Sequence, residues 1–383
     1  MFPKKCEVPA VSVFTSVASL PGGWDHVLPE EHALQTKTLA IYEAIRLPDI
    51  STYYALCGSG DNPRAIAYFQ LLKVQPKHLN KGLLSGIQSA IVPPLLGFIK
   101  PSMLVAGHLF RHDIATFFPT ENLSNIDAYR VYEQMIITVA KQACAVAVLV
   151  KDVPEKLVPY FQNYAPKYSQ LRNDISMQMK LPADWQTFVD YELALKHKYA
   201  QKLRKVRSSL GKLSVRELSV EEVVSESAII FKLYEQVSRN RAFSMGLLNE
   251  QFLPELKKYY DKELKVWAFY EGETMVAFAS AWLHQDAFDM FYIGFDYEKN
   301  ATLNLYFNIL YFSIEQAILA RKPLLILGRT ALEAKARLGC TPHYLHTFLL
   351  VRSPYLRRLV SGKLNNQHQQ EGAWEERHPF KVN

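Results

Sequence analysis

An α/β chain made of two similar halves is predicted by three observations. First, 383 residues with 49% hydrophobic and 21% charged side chains carry enough apolar material for two globular domains. Second, the run Leu324-Leu325-Ile326-Leu327 does not alternate, which marks a strand covered on both faces. Third, one order of elements occurs twice: helix, antiparallel strands, helix, buried strand, short helix, strand. A strand–helix–strand step inside each half makes one pair of strands parallel, so both sheets are mixed.

The first half opens with a helix over His32–Ile45 and a strand over Thr52–Cys57. The turn Gly58-Ser59-Gly60-Asp61-Asn62-Pro63 leads into a strand over Arg64–Val74. After an irregular stretch come a strand at Met103–Phe110, a helix from about Asn125 to Ala143 and a strand at Ala145–Val150. A short helix at Glu155–Tyr160 and a strand at Ser169–Met179 close the half. Apolar spacings of three and four then predict one helix over Trp185–Leu210.

The second half begins with helices near 225–240 and 249–260, the latter with Asn249 as cap and Pro254 in its first turns. Strands Val266–Tyr270 and Met275–Leu283 flank the turn Glu271-Gly272-Glu273, and strand Ala287–Ile293 follows. A long helix spans about Thr302–Ala320. Then come the buried strand, a helix Leu332–Leu338 ending at Gly339, and a strand Leu345–Arg352. The predicted domains are 1–182 and 183–360, the second opening with the basic helix, with a tail at 361–383.

The net charge of +7 is concentrated. Lys196, Lys198, Lys202, Arg204, Lys205, Arg207, Lys212 and Arg216 fall in one acid-free run, and without these eight the chain is near neutral. The run reads either as a solvated helix face or as a site for phosphate, nucleic acid or anionic lipid. Aromatic interleaving for base stacking is weak, so DNA is not an expected partner. Four scattered cysteines without a CxxC pair argue against a disulfide scaffold or zinc ribbon. His108 and His112 have no third ligand and no G-x-S-x-G occurs, so neither metal nor triad chemistry is expected. Leu83–Phe110 is apolar but interrupted by Pro93-Pro94 and Lys100-Pro101, short of the roughly 20 residues of a spanning helix. No signal peptide is visible, and a cytoplasmic protein is expected, with peripheral membrane contact left open.

Phe291-Tyr292-Ile293-Gly294-Phe295-Asp296-Tyr297, Leu305-Tyr306, Ile314-Glu315, Leu327-Gly328-Arg329-Thr330-Ala331, Lys335 and the closing His378-Pro379-Phe380-Lys381 carry a resemblance. With Gly107, Tyr132, Val150-Lys151-Asp152 and Trp185, they make the chain resemble GNAT-type acyltransferases of the bacterial peptidoglycan-biosynthesis branch, relatives of the Fem aminoacyl transferases. The resemblance spans nearly the whole chain. It implies tandem GNAT-like domains and transfer of an acyl or aminoacyl group to an amine, such as one on a cell-wall precursor. It implies acyl-CoA as first donor and aminoacyl-tRNA as second. The helical hairpin arm that often accompanies tRNA use has room here for only one helix. In ordinary GNAT enzymes a Gly-rich loop at a helix start holds the pyrophosphate. The corresponding Asp296-Tyr297-Glu298-Lys299-Asn300-Ala301-Thr302 has no glycine and carries two acids. The donor is therefore either not CoA or held by side chains, and a non-catalytic binding module is the competing class.

Candidate residues follow from position. Arg329 and Thr330 leave the carboxyl end of the buried strand, where α/β sheets bind ligands, and Lys335 lies one helical turn further. They bind a carboxylate, phosphate or thioester oxygen, or else form an ion pair and a helix cap. Asp296 is the candidate base or ammonium ligand, with Glu315 the alternative carboxylate. Tyr306 is the preferred proton donor to a leaving group, ahead of Tyr292, which with Asn304 is placed among the binding residues. Lys151 is the first-half counterpart of Arg329. Cys340 is either reactive or a small core residue.

Overall fold

The computed structural model describes residues 10–30, 32–76, 100–111, 114–120, 123–164, 167–171, 175–239, 247–355, 357–358 and 375–381. The chain groups into two compact units. One holds residues 1–173, 242–248 and 345–370, and the other holds 174–241, 249–344 and 371–383.

The first unit carries β1 (Val11–Phe14), β2 (Ile50–Gly58), β3 (Pro63–Lys73), β4 (Ser102–Ala106), β5 (Phe117–Pro119), β6 (Ala147–Val150), β7 (Ser169–Leu171) and β15 (Thr347–Val351). The strand order is β1-β2-β3-β4-β6-β15-β7, with β5 also on β3. Among the described strands of this sheet only β4 and β6 run parallel, Met103 beside Ala147 through Ala106 beside Val150. The helices are α1 (Gly23–His26), α2 (Thr36–Ile45), α3 (Asn125–Gln142) and α4 (Val158–Tyr164). Helix α3 makes the crossover between the parallel strands. Ser124 caps it, its Oγ accepting from the Asp127 N–H. Its apolar stripe, including Tyr132, Met135, Ile136 and Val139, packs with Phe69, Leu104, Val148 and Phe348.

The second unit carries β8 (Ile175–Lys180), α5 (Phe188–Ala194), α6 (His197–Arg207), β9 (Ser214–Glu217), α7 (Val220–Ser225), α8 (Ser227–Arg239), α9 (Phe252–Tyr259), β10 (Leu264–Glu271), β11 (Thr274–Leu283), β12 (Ala287–Phe295), α10 (Tyr297–Leu303), α11 (Leu305–Leu319), β13 (Leu324–Gly328), α12 (Leu332–Ala336) and β14 (Thr341–Tyr344). The order is β14-β8-β13-β12-β11-β10-β9, and among these described strands only β12 and β13 are parallel. Leu325 and Leu327 of the apolar run are buried, but Leu324 and Ile326 are only partly so, so the strand expected to be covered on both faces is fully covered on one. Residues 375–381 return to this unit. Phe380 bridges Leu195 and fills the space beside Gly339 that a Cβ would need. Its ring meets Trp185 and Tyr191 at 5.8 and 6.0 Å.

Several boundaries differ from the sequence reading. The helix expected over 185–210 is two, because Leu195 and Lys196 are extended between α5 and α6. The helix expected from Thr302 is also two: Asn304 takes a left-handed conformation (φ 49°, ψ 39°) and ends α10 as it starts α11. Asn249 does not cap; α9 starts at Phe252, and Pro254 does fall in its first turn. The strand expected over 169–179 supplies two sheets, β7 to the first and β8 to the second. The strand expected over 345–352 is β15, inserted between β6 and β7 of the first sheet. Apolar patterning marks a segment as strand without naming its partner, so these two exchanges could not be read from it. The apolar segment from Leu83 lies largely outside the described residues. Among the described residues, no helix is long and apolar enough to cross a membrane.

Candidate active site

The site of the second unit starts from two irregularities at one level of the sheet. On β12, Ile293 pairs with Ala279 and Met290 with Ala281, so Phe291 and Tyr292 together face the single residue Ser280. This is a β-bulge. The Ser280 side chain serves the backbone that the bulge strands: its Oγ accepts from the Tyr292 N–H at 3.0 Å and donates to the Tyr292 carbonyl at 2.8 Å. On β13, Ile326 pairs with Gln178 and Gly328 with Met177, so Leu327 is the extra residue of a second bulge. The parallel pairing of β12 with β13 covers only Ala287–Asp289 and Leu324–Ile326. Beyond it, both strands bend and part.

A cavity of about 340 Å³ opens where they separate. Met290, Phe291, Ile293, Phe295, Leu310, Leu327 and Val237 supply its apolar wall, and Tyr297, Asn300, Tyr306, Thr330 and Lys335 its polar groups. Apolar walls with a few convergent polar groups are the usual form of a small-molecule site. Lys335 is 3% exposed, and its Nζ donates to the Gly328 carbonyl at 3.2 Å. Asn300 Oδ1 accepts from the Tyr306 N–H at 3.0 Å and so fixes the first turn of α11 beside the cavity. Ser280 is fully buried, and Ser280→Ala leaves two backbone groups of the bulge without a partner. The expected cost is about 2 kcal/mol, read by urea unfolding. An unchanged midpoint would show the bulge to be held by other contacts.

The structure brings Tyr306, Thr330 and Lys335 together around this cavity and disperses the other candidates. Asp296 caps α10, its Oδ1 accepting from the N–H groups of Glu298 and Lys299 at 2.9 and 3.2 Å. Glu315 pairs with Arg207 at 3.0 Å, and that guanidinium stacks over Phe188. Tyr292 packs on Tyr234 and Phe252. Arg329 is half-buried beside Gly328, whose φ of 79° turns the chain out of β13. Lys151 lies in the first unit, donating to the His108 carbonyl at 3.0 Å with Asp152 at 3.6 Å. Asn304 lines a different cavity of the second unit. Cys340 is buried, and burial pushes its thiol up to about 12, which leaves it protonated at neutral pH.

Asp296 decides how a phosphate can be held here. The N–H groups it accepts are the donors that a pyrophosphate would take at the start of α10. Its own carboxylate fills that place with negative charge. The residues present do not fit the usual pyrophosphate cradle of the resembling enzymes.

Sequence reasoning passed over Ser280, Leu327 and Asn300. Ser280 and Leu327 read as ordinary strand residues, because a bulge is a property of pairing. Asn300 had a signal, an amide side chain one turn before a helix restart.

Two mixed sheets, each with one parallel pair among the described strands, make this a mixed α/β chain of two similarly built sheets. The solved structures it resembles include a domain assigned as the C-terminal (DUF2156) part of a lysylphosphatidylglycerol synthetase from Agrobacterium fabrum. That likeness has a TM-score of 0.50 and 12% identity, and covers 91% of this chain and 96% of the other. A tandem GNAT protein from the clavulanic acid biosynthesis pathway has a TM-score of 0.48 and 8% identity, covering 90% and 99%. The L-PGS of Bacillus licheniformis has 0.47 and 11%, covering 86% and 96%. No family model matches the chain, and no curated protein matches it in sequence.

Proposed function

We propose that this chain is an N-acyltransferase that carries the acyl end of an activated donor in the cavity between β12 and β13. The observation that carries the reading is the paired bulge. It opens a largely apolar cleft with a buried lysine in its wall, at the carboxyl end of the parallel pair of that sheet. In the reaction an amine nitrogen bonds to the acyl carbon, the bond from that carbon to the donor's sulfur or oxygen breaks, and the amine loses a proton. The Lys335 ammonium supports the carbonyl oxygen as it gains charge, and the Tyr306 phenol supplies a proton to the leaving group. Asp296 is committed to its helix and Glu315 to Arg207, so the amine's proton leaves to solvent, and Tyr306 takes a proton back from solvent once the leaving group has departed.

The donor is a thioester of CoA type or an aminoacyl ester of RNA. The second is favoured by one observation, that a carboxylate fills the usual pyrophosphate cradle. The acceptor is an amine, in line with a cell-wall precursor. The test uses acyl ends without phosphates. S-acyl pantetheines of graded length are added to the full chain, and melting temperature and acyl transfer to small amines are measured. A ligand at 100 times its Kd adds about 2.7 kcal/mol, seen as a clear shift. Neither a shift nor an acylated amine, with pantetheine thioesters or with aminoacyl esters of adenosine, would sink the reading.

A further inference from the structure

We infer that a second cavity of this unit, lined by Lys202, Lys205, Lys212, Ser209, Thr302 and Asn304, holds the phosphate groups of a pyrophosphate- or phosphodiester-bearing ligand. It deepens the transferase reading, since it places the far end of the donor, but it rests on separate residues. The cavity measures about 400 Å³, and every residue that lines it except Val206 carries a polar or charged group. Its position relative to the acyl cavity follows from the chain: Asn300 and Tyr306 line one, and Thr302 and Asn304, between them in sequence, line the other.

Charge pairing separates the residues of the basic run. Arg204 pairs with Glu192, Arg207 with Glu315, and Arg216 with Glu222. Lys202, Lys205 and Lys212 have no carboxylate within 4 Å among the described residues, and these are the three basic residues that line the cavity. Three like charges around one space repel one another, and an anion between them removes that repulsion. Burial, with Arg337 nearby, already lowers the Lys202 pKa, with only partial relief from Glu333.

The helix ends around the cavity fit the same ligand. Asn304 starts the 15-residue α11 with no cap from its own side chain, and the one first-turn side-chain acceptor, Asn300 Oδ1 on the Tyr306 N–H, is neutral, so no charge offsets the positive end of its dipole. The Leu303 carbonyl that ends α10 would repel an anion, but it already accepts from Ser209 Oγ and Asn308 Nδ2, both at 2.8 Å. Ser209 is itself held by Asn308 Nδ2 at 3.0 Å, with Asn308 fully buried. At the start of α10 a carboxylate takes the N–H groups; at the start of α11, eight residues on, the side-chain acceptor is the neutral Asn300 amide.

The test is titration calorimetry of the full chain with inorganic pyrophosphate, in parallel with CoA and with an RNA hairpin that has a single-stranded 3′ end. Lys202→Gln/Lys205→Gln/Lys212→Gln is expected to weaken pyrophosphate at least about tenfold and to flatten its salt dependence. Lys196→Gln/Lys198→Gln, on the same run but off the cavity, is expected to leave it unchanged. If CoA weakens with pyrophosphate and the hairpin does not, the ligand is a nucleotide thioester; if the hairpin weakens too, it is an RNA ester. No pyrophosphate binding by the unaltered chain at millimolar concentration would overturn the inference. So would equal weakening in both variants, which would reduce the effect to net charge. S-acyl pantetheine binding is expected to survive the triple change, so failure here is distinguishable from failure of the acyl-cavity reading.

Discussion

Lys335→Met lowers kcat for acyl transfer about 100-fold, the usual loss for one preorganised donor to a developing oxyanion. The side chain is 3% exposed, so its charge acts in a poorly screened setting, and its anchor on the Gly328 carbonyl holds it at the end of the parallel pair. Methionine keeps the length and the apolar stem, so the cavity keeps its shape. KM for an acyl pantetheine therefore changes little while kcat falls, the signature of a contact made in the transition state alone. Steady-state kinetics with the melting temperature alongside makes the check. An unchanged kcat would make Lys335 a packing residue, and a raised KM at constant kcat would make it a ground-state ligand.

Gly294→Val has the largest expected effect on stability, a loss of about 4 kcal/mol or more. A Cβ there would lie 2.5 Å from the Leu233 carbonyl carbon and the Tyr234 nitrogen and would overlap the Phe278 ring. Two of these are backbone atoms of α8, which cannot swing aside as a side chain can. The close approach of α8 to β12 is what lets Val237 close one wall of the acyl cavity, so the variant damages ligand binding as well as the fold. Gly211→Ala is the matched control, with nothing within 4 Å of its Cβ and an expected change within about 0.5 kcal/mol. Equal urea midpoints for the two variants would refute the close-packing account.

The elements of the site that could be read from sequence are those with local causes. An unbroken apolar run names a strand, though only one of its faces is fully buried, and Thr330 and Lys335 follow it at the spacing that returns them to the same end of the sheet. The helix before that run is equally plain from its apolar content. What stayed hidden depends on pairing. The bulges opposite Ser280 and at Leu327 exist only between strands, yet they open the cavity. Glu315 shares helix α11 with residues of the core, and its spacing gave no hint that Arg207, 108 residues earlier, claims it. Asp296 reads as a base because the sequence places the helix start only at about Thr302; α10 begins at Tyr297, and the structure uses the acid as its cap. The basic run was visible as charge, but the pairing of its arginines leaves five lysines, and only the folded chain shows that Lys202, Lys205 and Lys212 share a cavity.

The insertion of β15 between β6 and β7 bears on how the protein is made. By the time Leu171 has left the ribosome, β6 and β7 both exist, but the strand that joins them lies 176 residues downstream, at Thr347. At about 5–20 residues per second, that is a wait of roughly 10–35 s with a sheet edge at β6 unpaired. During that interval the nascent chain offers its apolar Ala147–Val150 edge to any passing strand, and chaperone occupancy of growing chains should peak there. Ribosome profiling of chaperone-bound nascent chains would place that peak before codon 347 and its release soon after.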